Sequence, residues 1–361
     1  MLKRIKPVLG WALSLAMLGG AGIEGQKNKG EQNGKLVFKT VLKDLNNPSS
    51  VSFIQPIPHI QMRLVCDGGN GRVLVDMMGG QQKQKQMKGF STEYWKVDPK
   101  TGIKRFKVGP LSAVFAGEML VVADSGKKDG QEALLFYRGP DAQVKKSNTV
   151  AGEGNLTGMA VSKDGQTIYV CGQGSDKKTW VLSCDVASRK LVTRFSADDH
   201  GIKTNSPMQV VVQDEDHILV LYSGKGGVAD GMIVQWHVKS DKPSQVWNLP
   251  GLVDPMGMAL LPGEKNTLVV VDNNWALTKV NKGQLAKVKL DYLAIKAGLT
   301  PAQKAIRKKK AHDATVVILD NKTLRGPTSC AFDADGLLHI TQLGENFDKG
   351  QGSLISVSGV K

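Results

Sequence analysis

One spacing recurs six times along this chain, and it restricts the possible folds more than any other feature. Short apolar strands begin at Pro48, Pro110, Leu156, Pro207, Pro255 and Pro327. Each is followed by turn residues and a second, β-branched strand, ending at Asp67, Asp124, Gly172, Tyr222, Asp272 and Gln342 respectively. Start and end therefore lie 14 to 19 residues apart, although successive starts lie 46 to 72 residues apart. Two strands keep a steady separation when they pair as a hairpin, so the length variation belongs to the loops between units. The turns carry the expected residues, for example Asp164 and Gly165, Pro262 and Gly263, and Asp335 and Gly336.

Third strands are expected at Gly71–Val75, Ala133–Tyr137, Trp180–Val186, Met232–Val238 and Ala276–Val280, with a further one at Ser353–Val357 in the last unit. Fourth strands are expected at Ile103–Val108, Leu191–Phe195 and Gln245–Leu249. The last unit ends with the chain after only three strands, and an open sheet edge invites aggregation unless it is covered. An early alternating run, Lys35–Leu42, has no hairpin partner nearby and can supply the missing outer strand. The expected fold is therefore all-β: a six-bladed β-propeller whose N-terminal strand closes the last blade. A pair of β-sandwiches is the alternative, disfavoured because the repeat never changes class midway along the chain.

Two insertions interrupt the plan. Gly79–Ser91 is rich in Gln and Lys and reads as a loop or hairpin excursion. Between the fifth and sixth blades, residues 291–320 contain a short helix with Thr300 as N-cap and Pro301 in its first turn. That helix runs into Arg307, Lys308, Lys309 and Lys310, which either dock a polyanion or acidic partner or form a solvated face suited to a helix C-terminus.

Residues 1–22 have a basic start, an apolar core from Val8 to Leu18 and a small-residue end, the pattern of a secretory signal peptide. An uncleaved anchor is the alternative, although the apolar run is short for a spanning helix. A polar linker (23–34) and the propeller (35–361) follow, so a secreted or periplasmic protein without a transmembrane span after cleavage is expected, and a monomer. The formal charge of +15 falls to +12 without Lys3, Arg4 and Lys6. Such a surface attracts polyanions in a salt-dependent way, while the cations are too dispersed to indicate specific nucleic-acid binding. Cys66, Cys171, Cys184 and Cys330 lack metal or redox spacing and read as buried thiols. No histidine or serine motif of a hydrolase and no phosphate-cradling loop is present.

The units GNLTGMAVSKDGQTIYVCGQGSD, DPMGMALLPGEKNTLVVVDNN and RGPTSCAFDADGLLHITQLGE resemble the NHL-repeat and regucalcin/gluconolactonase-like group of six-bladed propellers. That resemblance implies a divalent metal in the channel, held by Glu, Asn and Asp, the Asn following the repeat proline. Here those positions are Ser49, Leu111, Met208, Met256 and Thr328, so the implied cage is missing.

Chain direction places the ends of the second strands around one mouth of the central channel. Asp67, Asp124, Tyr222, Asp272, Asn273, Trp275, Gln342 and Asn346 are thus the candidate ligand-binding residues, although short polar side chains also satisfy turn backbone. The functional expectation is an exported, non-enzymatic propeller that binds a small molecule, glycan or protein partner at that mouth, with no cofactor. The alternative is a metal-dependent lactonase or hydrolase in which Asp67, Asp124 and Asp272 hold a cation such as calcium or zinc.

Overall fold

In the computed structural model, the described residues are 35–361 except for 58–59, 79–83, 91–93, 98–103, 108, 127–131, 139–144, 148–154, 174–177, 225–227, 275–281, 293–310 and 345–349. The leader (1–22), the linker (23–34), the expected helix after Thr300 and the Arg307–Lys310 run all lie outside them.

Six antiparallel sheets follow one another around a ring. Blade 1 comprises Pro48–Ile57, Ile60–Asp67, Arg72–Met78 and Gln84–Lys88. Blade 2 comprises Pro110–Ala116, Met119–Asp124, Ala133–Tyr137 and Lys145–Lys146, and blade 3 Asn155–Val161, Thr167–Gln173, Thr179–Asp185 and Leu191–Ser196. Blade 4 comprises Pro207–Val212, His217–Tyr222, Met232–His237 and Lys242–Asn248; blade 5 comprises Pro255–Leu260, Thr267–Asp272, Gln284–Lys289 and Thr315–Asp320. Blade 6 takes Pro327–Phe332, Leu338–Gln342 and Gly352–Ser358 from the end of the chain. Val37–Leu45 pairs antiparallel with Gly352–Ser358 and completes that blade. First strands contact first strands around the whole circle, with blade 6 against blade 1. The ring is therefore closed by the early strand, as the alternating run at Lys35–Leu42 predicts.

Apolar packing follows the same geometry. Each of six buried clusters joins two neighbouring blades: Met62, Leu64 and Val75 meet Leu120, Val122 and Leu135 between blades 1 and 2, and equivalent clusters fill the other five seams. Alternation along each strand sends successive side chains to opposite seams, so every blade contributes to two. The seam between blades 6 and 1 is the smallest, built on Leu45, Val51, Val65, Leu74 and Leu354.

Glycines opening three third strands lock the ring further. A Cβ on Gly231 would lie 2.7 Å from Pro255, on Gly283 2.1 Å from Pro327 and on Gly352 2.6 Å from Pro48, in each case the proline that starts the next blade. No side chain fits there. Gly283→Ala is expected to lower stability by about 1–3 kcal/mol through overpacking, read from urea unfolding midpoints.

Three sequence expectations need correction. The third strand of blade 5 is Gln284–Lys289, while Ala276–Val280 lies outside the described residues. The fourth strand of blade 1 is Gln84–Lys88, inside the stretch expected to be a loop. The run around Ile103–Val108 instead contributes Lys104–Lys107 to a separate hairpin with Tyr94–Val97. Finally, the insertion after blade 5 ends in strands: His312–Asp313 adds a parallel fifth strand to blade 4, and Thr315–Asp320 is the outer strand of blade 5.

Among the described residues, helix is limited to the turns Gly68–Asn70 and Asp198–His200, and no helix is long and apolar enough to cross a membrane. All four cysteines are free and buried. Burial pushes the thiols up, to about 12 for Cys66, Cys184 and Cys330 and about 11 for Cys171. Folding thus favours the protonated thiol. This contribution is complete below the ordinary thiol value of 9.0 and is lost as pH rises towards the folded values. A disulfide-exchange thiol reagent at pH 8 is expected to label none of the four in the native protein and all four in denaturant.

Candidate functional site

A bulge recurs at the same place in every first strand. Pairing with the second strand slips between Pro48 and Ser50, Pro110 and Ser112, Leu156 and Met159, Pro207 and Gln209, Pro255 and Gly257, and Pro327 and Ser329. Bulges re-aim side chains and commonly sit at barrel rims and binding sites. At the bulges lie Ser49, Leu111, Thr157, Met208, Met256 and Thr328, all half-buried and each directly after a buried residue. Neighbouring blades cover both faces of each first strand and its own second strand covers one edge, so the remaining exposure of these residues is towards the axis. Three hydroxyls and three apolar side chains thus ring the mouth.

The hydroxyls also tie blades together. Ser49 donates to the Pro110 carbonyl at 2.8 Å, Thr157 to that of Pro207 at 2.7 Å and Thr328 to that of Pro48 at 2.6 Å. Each reaches the first residue of the next blade. Leu111, Met208 and Met256 carry no polar group for such a bond and supply the apolar half of the ring.

At the ends of the second strands, three of the candidate side chains latch the incoming loop. Asp67 is fully buried and accepts from Asn46 N–H at 2.6 Å, Asn70 Nδ2 at 2.8 Å and Arg72 Nε at 2.6 Å. Asp272 is also fully buried and accepts from the backbone N–H groups of Val253 (2.9 Å), Asp254 (2.7 Å) and Asn274 (3.0 Å). Gln342 accepts from Arg325 N–H at 3.1 Å and donates to Ser353 Oγ at 3.0 Å. The loop groups held lie one or two residues before the first strands at Pro48, Pro255 and Pro327. A second, backbone latch accompanies them: the N–H groups of Ser125, Ser223, Asn273 and Leu343 donate to the carbonyls of Gly109, Ser206, Asp254 and Gly326. Blades 5 and 6 carry both fastenings, while blade 1 shows the side-chain one and blades 2 and 4 the backbone one.

The remaining candidates divide. Tyr222 is buried, its hydroxyl has no hydrogen-bond partner among the described residues and burial pushes its pKa up. Asp124 is half-buried opposite Pro110, and Asn273 donates through Nδ2 to the Pro327 carbonyl at 3.4 Å while its Oδ1 is unpartnered. Trp275 and Asn346 lie outside the described residues. No group of three or more His, Cys, Asp or Glu side chains that could hold a metal occurs among the described residues, so Asp67, Asp124 and Asp272 are not gathered into the trio considered above. Sequence reasoning missed the functional value of the bulge ring, although the residue after each unit start marks it. It also missed Asp254, which burial and then the Asp272 carboxylate push to about 6.

No family model matches the sequence, and no curated protein matches it. Among solved structures, a glucose dehydrogenase is 12% identical over 89% of this chain and 99% of its own, with a TM-score of 0.51. The PQQ-bound aldose sugar dehydrogenase of Streptomyces coelicolor is 11% identical over 90% of this chain and 98% of its own, at 0.51. A chain of a mitotic checkpoint complex is 12% identical over 93% of this chain and 98% of its own, again at 0.51. The likeness is one of fold. Proteins named for such different tasks share it, so activity has to be read from the mouth itself.

PQQ is a polycarboxylated quinone, and an anionic group of that kind needs cations to hold it. The described mouth carries Asp67, Asp124, Asp254 and Asp272; its Arg72 is committed to Asp67, and its Arg325 donates to the Leu324 carbonyl. These residues do not fit that group.

Proposed function

We propose that this chain is an exported binding propeller that engages a small molecule, glycan or protein partner at the channel mouth, without chemistry of its own. The observation that carries the reading is the division of labour at the mouth. Asp67, Asp272 and Gln342 each fasten loop backbone, whereas the bulge ring presents half-exposed Leu111, Met208 and Met256 between hydroxyls. Apolar surface with a few oriented polar groups suits ligand capture, and sugar rings in particular offer an apolar face beside hydroxyls. General acid–base or nucleophilic catalysis needs a titratable pair within hydrogen-bond reach, and the ring offers none.

The test is a glycan array probed with the full chain, scored beside a Met208→Arg/Met256→Arg double variant. Binding by the wild-type chain is expected to fall at least about tenfold in the variant, equivalent to about 1.4 kcal/mol, while the melting temperature stays the same. Equal binding by both proteins would remove the ring from the site, and turnover of a bound sugar would replace this reading with an enzymatic one.

A further inference from the structure

Blades 1 and 5 place an aspartate at the same structural position and treat it differently. In blade 1, Asp67 is neutralised by Arg72, 2.6 Å away, with Asn70 donating a further bond. In blade 5, Asp272 has no such cation among the described residues. Its neighbour is a second carboxylate, Asp254, whose own backbone N–H is held at 2.7 Å by Asp272 Oδ1. Among the described residues Asp254 makes no side-chain hydrogen bond or ion pair, and the charge acting on it is that of Asp272. Two amide oxygens are orphaned beside this pair. Asn273 and Asn274 are 2% and 9% exposed, and each donates through Nδ2 to a carbonyl, of Pro327 and of Lys282. Each leaves its buried Oδ1 without a partner among the described residues. Asn274 is fixed against the acid, since its N–H bonds Asp272 Oδ1 at 3.0 Å, and its φ of 54° holds the turn in the left-handed region.

Asp272 is held by three backbone N–H donors, but the Asp254 carboxylate and the two amide oxygens have no described donor, an arrangement that is costly unless something positive enters. We infer that the corner formed by Asp254, Asp272, Asn273 and Asn274 binds a hard divalent cation of the calcium class. The donors are all oxygen, two of them carboxylate, which suits calcium and disfavours softer metals that seek nitrogen or sulfur. Asp254 is half-buried, so the corner is open to solvent on one side. The cation takes the role that Arg72 plays in blade 1: it neutralises the acid that fastens the loop before the first strand. Its role is structural, and it stands independently of the ligand reading of the bulge ring.

The test is calorimetric titration of the chelator-treated full chain with calcium chloride, with melting temperatures recorded in calcium and in chelator. One equivalent of calcium is expected to bind and to raise the melting temperature by several degrees. Asp254→Asn should weaken binding at least about tenfold and abolish the rise. Asn274→Gly removes one oxygen while tolerating the left-handed turn, and should weaken binding if Asp254→Asn fails to fold. Absence of calcium binding by the wild-type chain overturns the inference, as does binding that survives both substitutions. A stability profile that responds to pH near 6 and not to calcium would show that the acid pair holds a proton instead, and would equally overturn it.

Discussion

Replacing Arg63 with methionine is expected to destabilise the protein by about 3–5 kcal/mol, because it leaves Asp76 charged and unpaired in the interior. Arg63 and Asp76 are cross-strand partners in blade 1, joined by Nη2 and Nε bonds of 2.6 and 3.2 Å to one carboxylate oxygen, with side chains 3% and 4% exposed. Along their strands they share a face with Val65 and Leu74, which places the pair in the seam against blade 6. That seam has the fewest apolar residues, and blade 6 brings buried His339 to it, bonded to Asp333 at 2.9 Å and packed on Phe53. The double variant Arg63→Met/Asp76→Leu should recover most of the loss, since a well-packed apolar pair replaces a buried ion pair at little cost. Urea unfolding of both single variants and the double variant decides the matter. A loss below about 1 kcal/mol for Arg63→Met would show that the pair is hydrated and outside the load of the seam.

The larger effect is expected from removing the strand that closes the ring. A chain beginning at residue 47 loses the partner of Gly352–Ser358 and the apolar contacts of Val41, Leu42 and Leu45. Leu45 is 1% exposed, and Leu45→Ala alone should cost about 2–5 kcal/mol. The truncated chain is expected to be insoluble or to associate through the bare edge of blade 6. A peptide covering residues 35–47, supplied during refolding, should restore a soluble monomer by adding a strand to that edge. A truncated chain that melts cooperatively at the wild-type temperature would show that blade 6 closes without its fourth strand.

The fold was legible because its instructions are local. A hairpin writes its own length into the sequence, and the β-branched second strands from Ile60–Asp67 to Leu338–Gln342 repeat that length in every unit. Outer strands were less legible because solvent relaxes their alternation. Gln84–Lys88 buries only Met87 and reads as a polar loop, whereas the more apolar neighbourhood of Phe106 reads as a strand of the blade and pairs elsewhere. The third strand of blade 5 is fixed by Gly283 packing on Pro327, a contact between blades that no local pattern displays. The site posed a different difficulty. Aspartate at a strand end can hold a ligand or hold backbone, and the partners of Asp67 and Asp272 include N–H groups common to almost every residue type. Arg72 next to Asp67 was visible in the sequence. That no described cation takes its place beside Asp272 depends on the equivalence of the two blades, which local sequence does not display.

Pairing of Val37 with Ser358 brings the two ends of the propeller side by side at the outer edge of blade 6. The second strands end at the mouth, so Gly352–Ser358 runs away from it and both ends emerge on the opposite side. A short linker between them, with new ends cut at the exposed Gly263 turn, should give a circular permutant that keeps every seam. Cargo or a tether joined directly before Lys35 or after Lys361 would hang behind the disc and leave the mouth clear.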